Sequence, residues 1–167
     1  MAMAMSVEHQ ENDNRRLGDP GSAAFQLDQY PFYLLNRAVG RYNVVIETRL
    51  RTINLDIPNW RVLMVLGERA PRSIGQIAEA CVINLSTMMR IIGRMKLAGL
   101  VTSTQSPSDA RVTEVFLTAL GTSKLEEARG ITAPIYQAVI EGFSSRDFDQ
   151  IIRHLGRLHD NLENVLE

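Results

Sequence analysis

One cysteine, Cys81, stands in 167 residues, so no disulfide can form within the chain and no cysteine-based zinc site can be assembled. Histidine is scarce too. His154 and His159 are five residues apart, which puts them on different sides of a helix, and His9 lies far away, so neither a metal site nor a cofactor is expected. Long apolar runs are missing. The longest charge-free stretch, Leu97 to Ser108, is polar in its second half and falls short of the roughly 18 apolar residues that a membrane helix needs. The opening MAMAM has no basic stretch before it and runs into Glu8, His9, Gln10 and Glu11, which makes a poor signal peptide. These absences predict a soluble, cytoplasmic chain with no membrane partner. A GxSxG elbow, P-loop, HExxH and dinucleotide fingerprint are also lacking, so no catalytic residue is expected.

What is present has the balance of one globular domain: 45% hydrophobic and 22% charged residues. The net charge of -1 hides an uneven distribution. Residues 58 to 120 carry seven Lys/Arg against four Asp/Glu, a surplus of three positive charges, whereas both flanks are net negative. Residues 1 to 27 are rich in Gln, Glu, Asn, Asp, Gly and Ser with no apolar period, which predicts a flexible arm without regular structure.

From Pro31 the pattern becomes helical. Phe32, Leu35, Val39, Tyr42, Ile46, Leu50 and Ile53 recur at three- and four-residue steps. Asp56 and Pro58 open a second helix with Trp60, Leu63 and Leu66 on its stripe. Ser73 and Gln76 form a capping box for a short third helix with Ile74, Ile77, Ala78 and Cys81 inside. Asn84 caps a fourth, whose inner face is Met88, Ile91, Ile92 and Met95. Alternation over 101 to 104 and 112 to 118 around Ser106-Pro107-Ser108-Asp109 predicts a hairpin. Thr118 then caps a fifth helix running to about Phe143, with Pro134 as a kink, and Ser144-Ser145 restarts the chain into a sixth striped by Phe148, Ile151, Ile152, Leu155, Leu158, Leu162 and Val165.

Two short helices around a tight Val82-Ile83-Asn84 turn, followed directly by a hairpin, form a winged helix-turn-helix. This unit, about residues 56 to 120, is the basic third of the chain. A helix of this kind is narrow enough to enter the major groove while its predecessor braces it. With the inner face assigned, Ser86, Thr87, Arg90 and Arg94 point outward. The hydroxyls can bond base edges or phosphates, Arg90 can meet guanine in a bidentate manner, and Arg94 can clamp a phosphate. On an isolated helix these four would be an ordinary solvated face. The adjacent hairpin with a basic tip and the local positive balance favour double-stranded DNA as partner. The terminal helices, about 30 to 54 and 119 to 167, carry more apolar surface than one small lobe can cover, which predicts a two-fold homodimer.

The run from Asp56 to Gly121 resembles the MarR family of bacterial transcriptional regulators. The likeness rests on Trp60-Arg61-Val62-Leu63, Ile77-Ala78-Glu79, Ser86-Thr87-Met88 with Arg90, and Gly99-Leu100-Val101. It continues through the wing Ser106-Pro107-Ser108-Asp109-Ala110-Arg111 and Leu117-Thr118-Ala119-Leu120-Gly121. It extends loosely over residues 30 to 165, which would make 28 to 167 one MarR-like domain. The resemblance implies a mainly α dimer in which the first, fifth and sixth helices intertwine and each winged lobe meets half of a palindromic operator. It also implies that Arg111 enters the minor groove and that Asp109 orients the Arg111 guanidinium or ties the wing to the lobe. Leu85, Met89 and Gly93 depart from the commonest pattern, where polar or charged residues are frequent.

The same resemblance implies a repressor relieved by a small, often aromatic or phenolic, ligand bound between dimer helices and lobe. Tyr33, Arg41, Tyr42 and Trp60 are the candidate effector residues, although Tyr42 and Trp60 also sit on core stripes. Cys81 could serve as an oxidation sensor, but its place on an apolar stripe favours an inert buried thiol. The competing reading is a winged-helix protein-interaction or architectural DNA-binding module without an effector.

Overall fold

The computed structural model describes residues 13–165; the part of the expected N-terminal arm before residue 13 lies outside the described residues. The chain divides into two compact units, with the boundary between Thr48 and Arg49.

In the first unit, the segment expected to lack regular structure, 1 to 27, holds a short 3-10 turn at Asn14–Leu17, and a second, Leu27–Gln29, starts at its last residue. The first rests on local side-chain-to-backbone bonds rather than on apolar periodicity, as do the bends that follow it, while the second is closed by backbone bonds from Gln29 to Gln26 and from Tyr30 to Leu27. Asp13 accepts from the Arg15 amide, Asp19 from the Gly21 amide and Ser22 from the Ala24 amide. The Gln26 amide closes the segment on the Leu17 carbonyl at 2.8 Å. Tyr30 stacks edge-on with both Phe25 and Phe32. Helix α1 (Pro31–Arg51) follows, with proline in its first turn as expected.

The second unit holds α2 (Ile57–Glu68), β1 (Arg72–Ser73), α3 (Ile74–Cys81), α4 (Leu85–Leu97), β2 (Val101–Gln105), β3 (Thr113–Leu117), α5 (Ala119–Val139) and α6 (Ser145–Val165). Four predicted caps are in place: Asp56 to the Asn59 amide, the reciprocal Ser73–Gln76 box, Asn84 to the Thr87 amide and Thr118 to the Gly121 amide. Each such cap contributes about 1 kcal/mol. Helix α5 ends at Val139 rather than near Phe143, and the turn beyond it uses Gly142 at φ 86.

The hairpin is part of a three-stranded antiparallel sheet in the order β1-β3-β2. Arg72 lies opposite Val115 and Val101 opposite Leu117. Strand β1 is not foreseen from the sequence because two residues carry no measurable alternation. The core is formed by Val62, Leu63 and Leu66 of α2, Ile77, Ala78 and Cys81 of α3, and the four inner residues of α4. Val115, Leu125 and Ala128 join them. Val62 belongs to this core although the expected stripe omits it, whereas Trp60, placed on that stripe, is only half-buried.

Where α4 hands over to β2, Gly99 adopts φ 71, the left-handed conformation that ends a helix at small cost when no Cβ is present. The chain returns to this corner at α5. The Thr118 amide donates to the Leu100 carbonyl at 3.1 Å, its hydroxyl donates to the Gly99 carbonyl at 2.6 Å, and that same oxygen accepts from the Gly121 amide. Gly121 is buried so closely here that a Cβ would run into the Leu100 carbonyl oxygen. Lys124, one turn on, donates to the Ile53 carbonyl at 3.2 Å and pairs with Glu127.

Gly121→Ala must therefore move backbone rather than a flexible side chain. Overpacking costs typically about 1 to 3 kcal/mol, and the rigid neighbour puts this variant at the upper end. Urea unfolding should show its midpoint lowered with an unchanged slope; an unchanged midpoint would refute the tight contact.

Candidate nucleic-acid interface

Helix α4 contacts α2 and α3 on one side and β2 at its end. Met88, Ile91, Ile92 and Met95 are buried there, and Ser86, Thr87, Arg90 and Arg94 are all exposed on the opposite face. The division follows from helical period: residues at steps of three and four share a face. Among the described residues neither Arg90 nor Arg94 has an ion-pair partner, so both guanidinium groups are available to an anion. Ser86 is partly committed, since its hydroxyl donates to the Asn84 side chain at 2.9 Å beside the cap bond to Thr87.

The turn that aims α4 is strained. Val82, the C-cap of α3, sits at φ 55 and ψ 49, a left-handed conformation that β-branched residues rarely adopt. Its amide donates to the Glu79 carbonyl and that of Ile83 to the Ala78 carbonyl, so the backbone bonds of the turn hold the conformation. At the other end of α4, Lys96 reaches Ser103 of β2 at 2.8 Å and fastens the helix to the sheet; neither residue stands out in the sequence.

The wing is organised from within. Ser106, expected to be a plain turn residue, is buried and donates to Glu114 at 2.8 Å while pairing with Ser108 at 3.0 Å. Asp109 receives Arg111 through Nε at 3.0 Å and Nη2 at 2.9 Å, and it also accepts from the Arg111 amide. All three bonds join residues of the wing itself. The Arg111 hydrogen bonds hold the Asp109 carboxyl below the usual carboxylate range and push Arg111 up in turn. The Arg111 side chain nonetheless remains 90% exposed, a charged group preset at the wing and open to solvent.

The expected effector residues fall in both units. Tyr33 is half-buried under the Arg37 guanidinium, 5.5 Å from its ring centre, Tyr42 is half-buried and Arg41 is exposed. Trp60, in α2, has its indole Nε1 buried with no hydrogen-bond partner among the described residues, and so does Oδ1 of the neighbouring Asn59. Burial pushes the Cys81 thiol up, opposed in part by Arg61 and Arg72, which leaves less of the reactive thiolate. His159 lies 3.7 Å from Asp160 and 3.9 Å from Glu163, all three exposed on α6, an ordinary surface charge group. Among the described residues no helix is long and apolar enough to cross a membrane.

A profile of the MarR family matches residues 53–112, which run from just after α1 to the wing loop ahead of β3. The HTH-type transcriptional repressor IacR of Pseudomonas putida is 37% identical over 147 residues, covering 88% of each chain. The chain belongs to the MarR family. Two solved structures share the MarR-family fold. The PcaV regulator from Streptomyces coelicolor, solved in complex with its natural ligand, superposes with a TM-score of 0.71 at 20% identity and covers 83% of this chain and 97% of its own. A mutant MarR from E. coli, complexed with operator DNA, gives 0.67 at 16% identity, covering 75% of this chain and 90% of its own.

The Asp109–Arg111 pair carries a sign that can be measured. A carboxyl depressed in the folded protein favours the fold above its unfolded pKa, and the contribution fades as pH falls through the lower folded value. Titration of the Asp109 carboxyl by NMR should give a midpoint below 3.8 that moves back toward it in Arg111→Ala. A midpoint that Arg111→Ala leaves in place would show that the pair does not form in solution.

Proposed function

We propose that this protein is a dimeric, sequence-specific DNA-binding repressor whose winged lobe, about residues 56 to 120, reads a palindromic operator. The observation that carries the reading is that Arg90 and Arg94 are exposed, with no ion-pair partner among the described residues, on a helix whose opposite face is locked into the core. Ser86, Thr87 and Arg90 face base edges and Arg94 a phosphate, while Arg111, preset by Asp109, enters the adjacent minor groove. The E. coli MarR solved with operator DNA, on the same fold, supports DNA as the partner. The surplus of positive charge over residues 58 to 120 favours an approach to phosphate in spite of the net charge of -1.

Dimerisation has its own support. No residue of α6 is buried in the single chain, and Phe148, Ile151, Ile152, Leu155, Leu162 and Val165 lie exposed along one face of the helix. A second copy of this helix is the simplest cover for such a face. The whole of 28 to 167 then acts as one regulator domain, with residues 30 to 54 and 119 to 167 as dimer helices.

A small, polar aromatic effector completes the reading. The buried Trp60 indole N–H and Asn59 side-chain oxygen lack partners among the described residues, and an unpaired buried polar group costs about 1 to 3 kcal/mol that a ligand atom can recover. In the first unit, Tyr33, Arg41 and Tyr42 are kept as candidate effector residues in their own right. PcaV, solved with its natural ligand, supports an effector in this fold.

The deciding experiment is selection of duplexes from a random-sequence pool by the full chain. Palindromic duplexes whose affinity falls steeply with salt are expected, and recovery of no preferred sequence would sink the proposal. On the selected duplex, Arg90→Ala should lose about 1 to 3 kcal/mol and relax selectivity at one base position. Leu155→Asp should shift the sedimenting species from dimer to monomer and abolish binding to the full palindrome; a variant that remains dimeric would place the interface elsewhere.

A further inference from the structure

Helix α4 presents two parallel columns to its open side, and the contacts assigned above use only one of them. Ser86, Arg90 and Arg94, at steps of four, form the polar column. Beside it, also at steps of four, run Leu85, Met89 and Gly93. Leu85 is 53% exposed and Met89 is 57% exposed, so the fold does not bury them. A Cβ added at Gly93 would meet nothing within 4 Å, so packing does not require a glycine there either. The column thus begins with two bare apolar side chains and ends in bare helix backbone.

An apolar strip directly beside unpaired arginines is continuous with the surface that meets the duplex. When the polar column enters a major groove, this strip enters too. The groove exposes one apolar group, the 5-methyl of thymine. Leucine has no hydrogen-bonding group and the methionine thioether is only a weak acceptor, so the apolar methyl is the base-edge feature that both match best, and the flexible side chain of Met89 can follow a methyl whose position varies with groove width. The glycine at the end of the column lets the helix backbone approach the groove wall where a side chain would hold it off.

We infer that Leu85 and Met89 are specificity-determining residues that read thymine methyl groups, so that each operator half-site carries thymine beside the position met by Arg90. The inference rests on the DNA-binding reading above, and the test separates the two. The probe is the duplex selected by the full chain from the random pool, compared with the same duplex in which deoxyuridine replaces thymine, so that only methyl groups are lost. The wild-type chain should bind the uracil duplex more weakly by about fourfold for each methyl contacted. The double variant Leu85→Ala/Met89→Ala, altered only at exposed positions, should bind both duplexes equally well, with its fold checked by thermal melting. Arg90→Ala should weaken both while keeping the difference between them.

Equal binding of the two duplexes by the wild-type chain would overturn the inference and leave DNA binding intact. Persistence of the difference in the double variant would overturn the assignment to Leu85 and Met89, as would a double variant altered only in its self-association. Failure to recover any preferred duplex would remove the DNA-binding reading and this inference with it.

Discussion

Met88, Ile91, Ile92 and Met95 hold α4 against α2 and α3, and the outward direction of its arginines is set by that burial rather than by any bond of their own. Burying such a side chain is worth about 1.5 to 3 kcal/mol relative to leaving it in water, several times the worth of a surface ion pair. The helix therefore cannot roll to hide Arg90 without surrendering its whole inner face. The Asn84 cap, the Val82 turn and the Lys96–Ser103 bond then fix the two ends of an orientation that the core has already chosen.

Electrostatics acts on this scaffold locally. A chain of net charge -1 is an unpromising ligand for a polyanion if its charges are simply summed. The fold instead gathers the basic residues of the middle third around one lobe, and leaves Arg90 and Arg94 unpaired among the described residues while Arg15, Arg72 and Arg129 are engaged by carboxylates. Arg111 is a third case, paired but exposed. Its tie to Asp109 limits the rotamers of a long side chain without withdrawing its outer face from solvent, so less conformational freedom remains to be lost in any contact it makes.

Much of this architecture is legible in the residues. The caps at Asp56, Ser73, Asn84 and Thr118 and the inner face of α4 follow from local chemistry and period, which act over a few residues and are written in the chain. The parts that are not legible depend on distant partners. Strand β1 exists because Arg72 and Ser73 meet β3 across some forty intervening residues, and two residues cannot announce a strand. The burial of Ser106 depends on Glu114 across the hairpin. The turn at 14–17 rests on the Asp13 side chain bonding nearby backbone and that at 27–29 on backbone bonds, neither of which leaves an apolar period in the sequence. Within the interface, Leu85 and Met89 stand out in the sequence only as departures from the family's pattern; their exposure gives that departure a physical meaning.

Thr118 binds together two elements with different duties. One hydroxyl accepts the first turn of α5 and donates to the exit of α4, and Gly121 brings the two backbones too close for even a methyl between them. Here α5 and the end of α4 meet with no compressible layer, as a lever meets its pivot. A tilt of α5, whatever its origin, must carry the α4 exit with it, and the two copies of α4 in a dimer would change their separation by an amount set by the length of that lever.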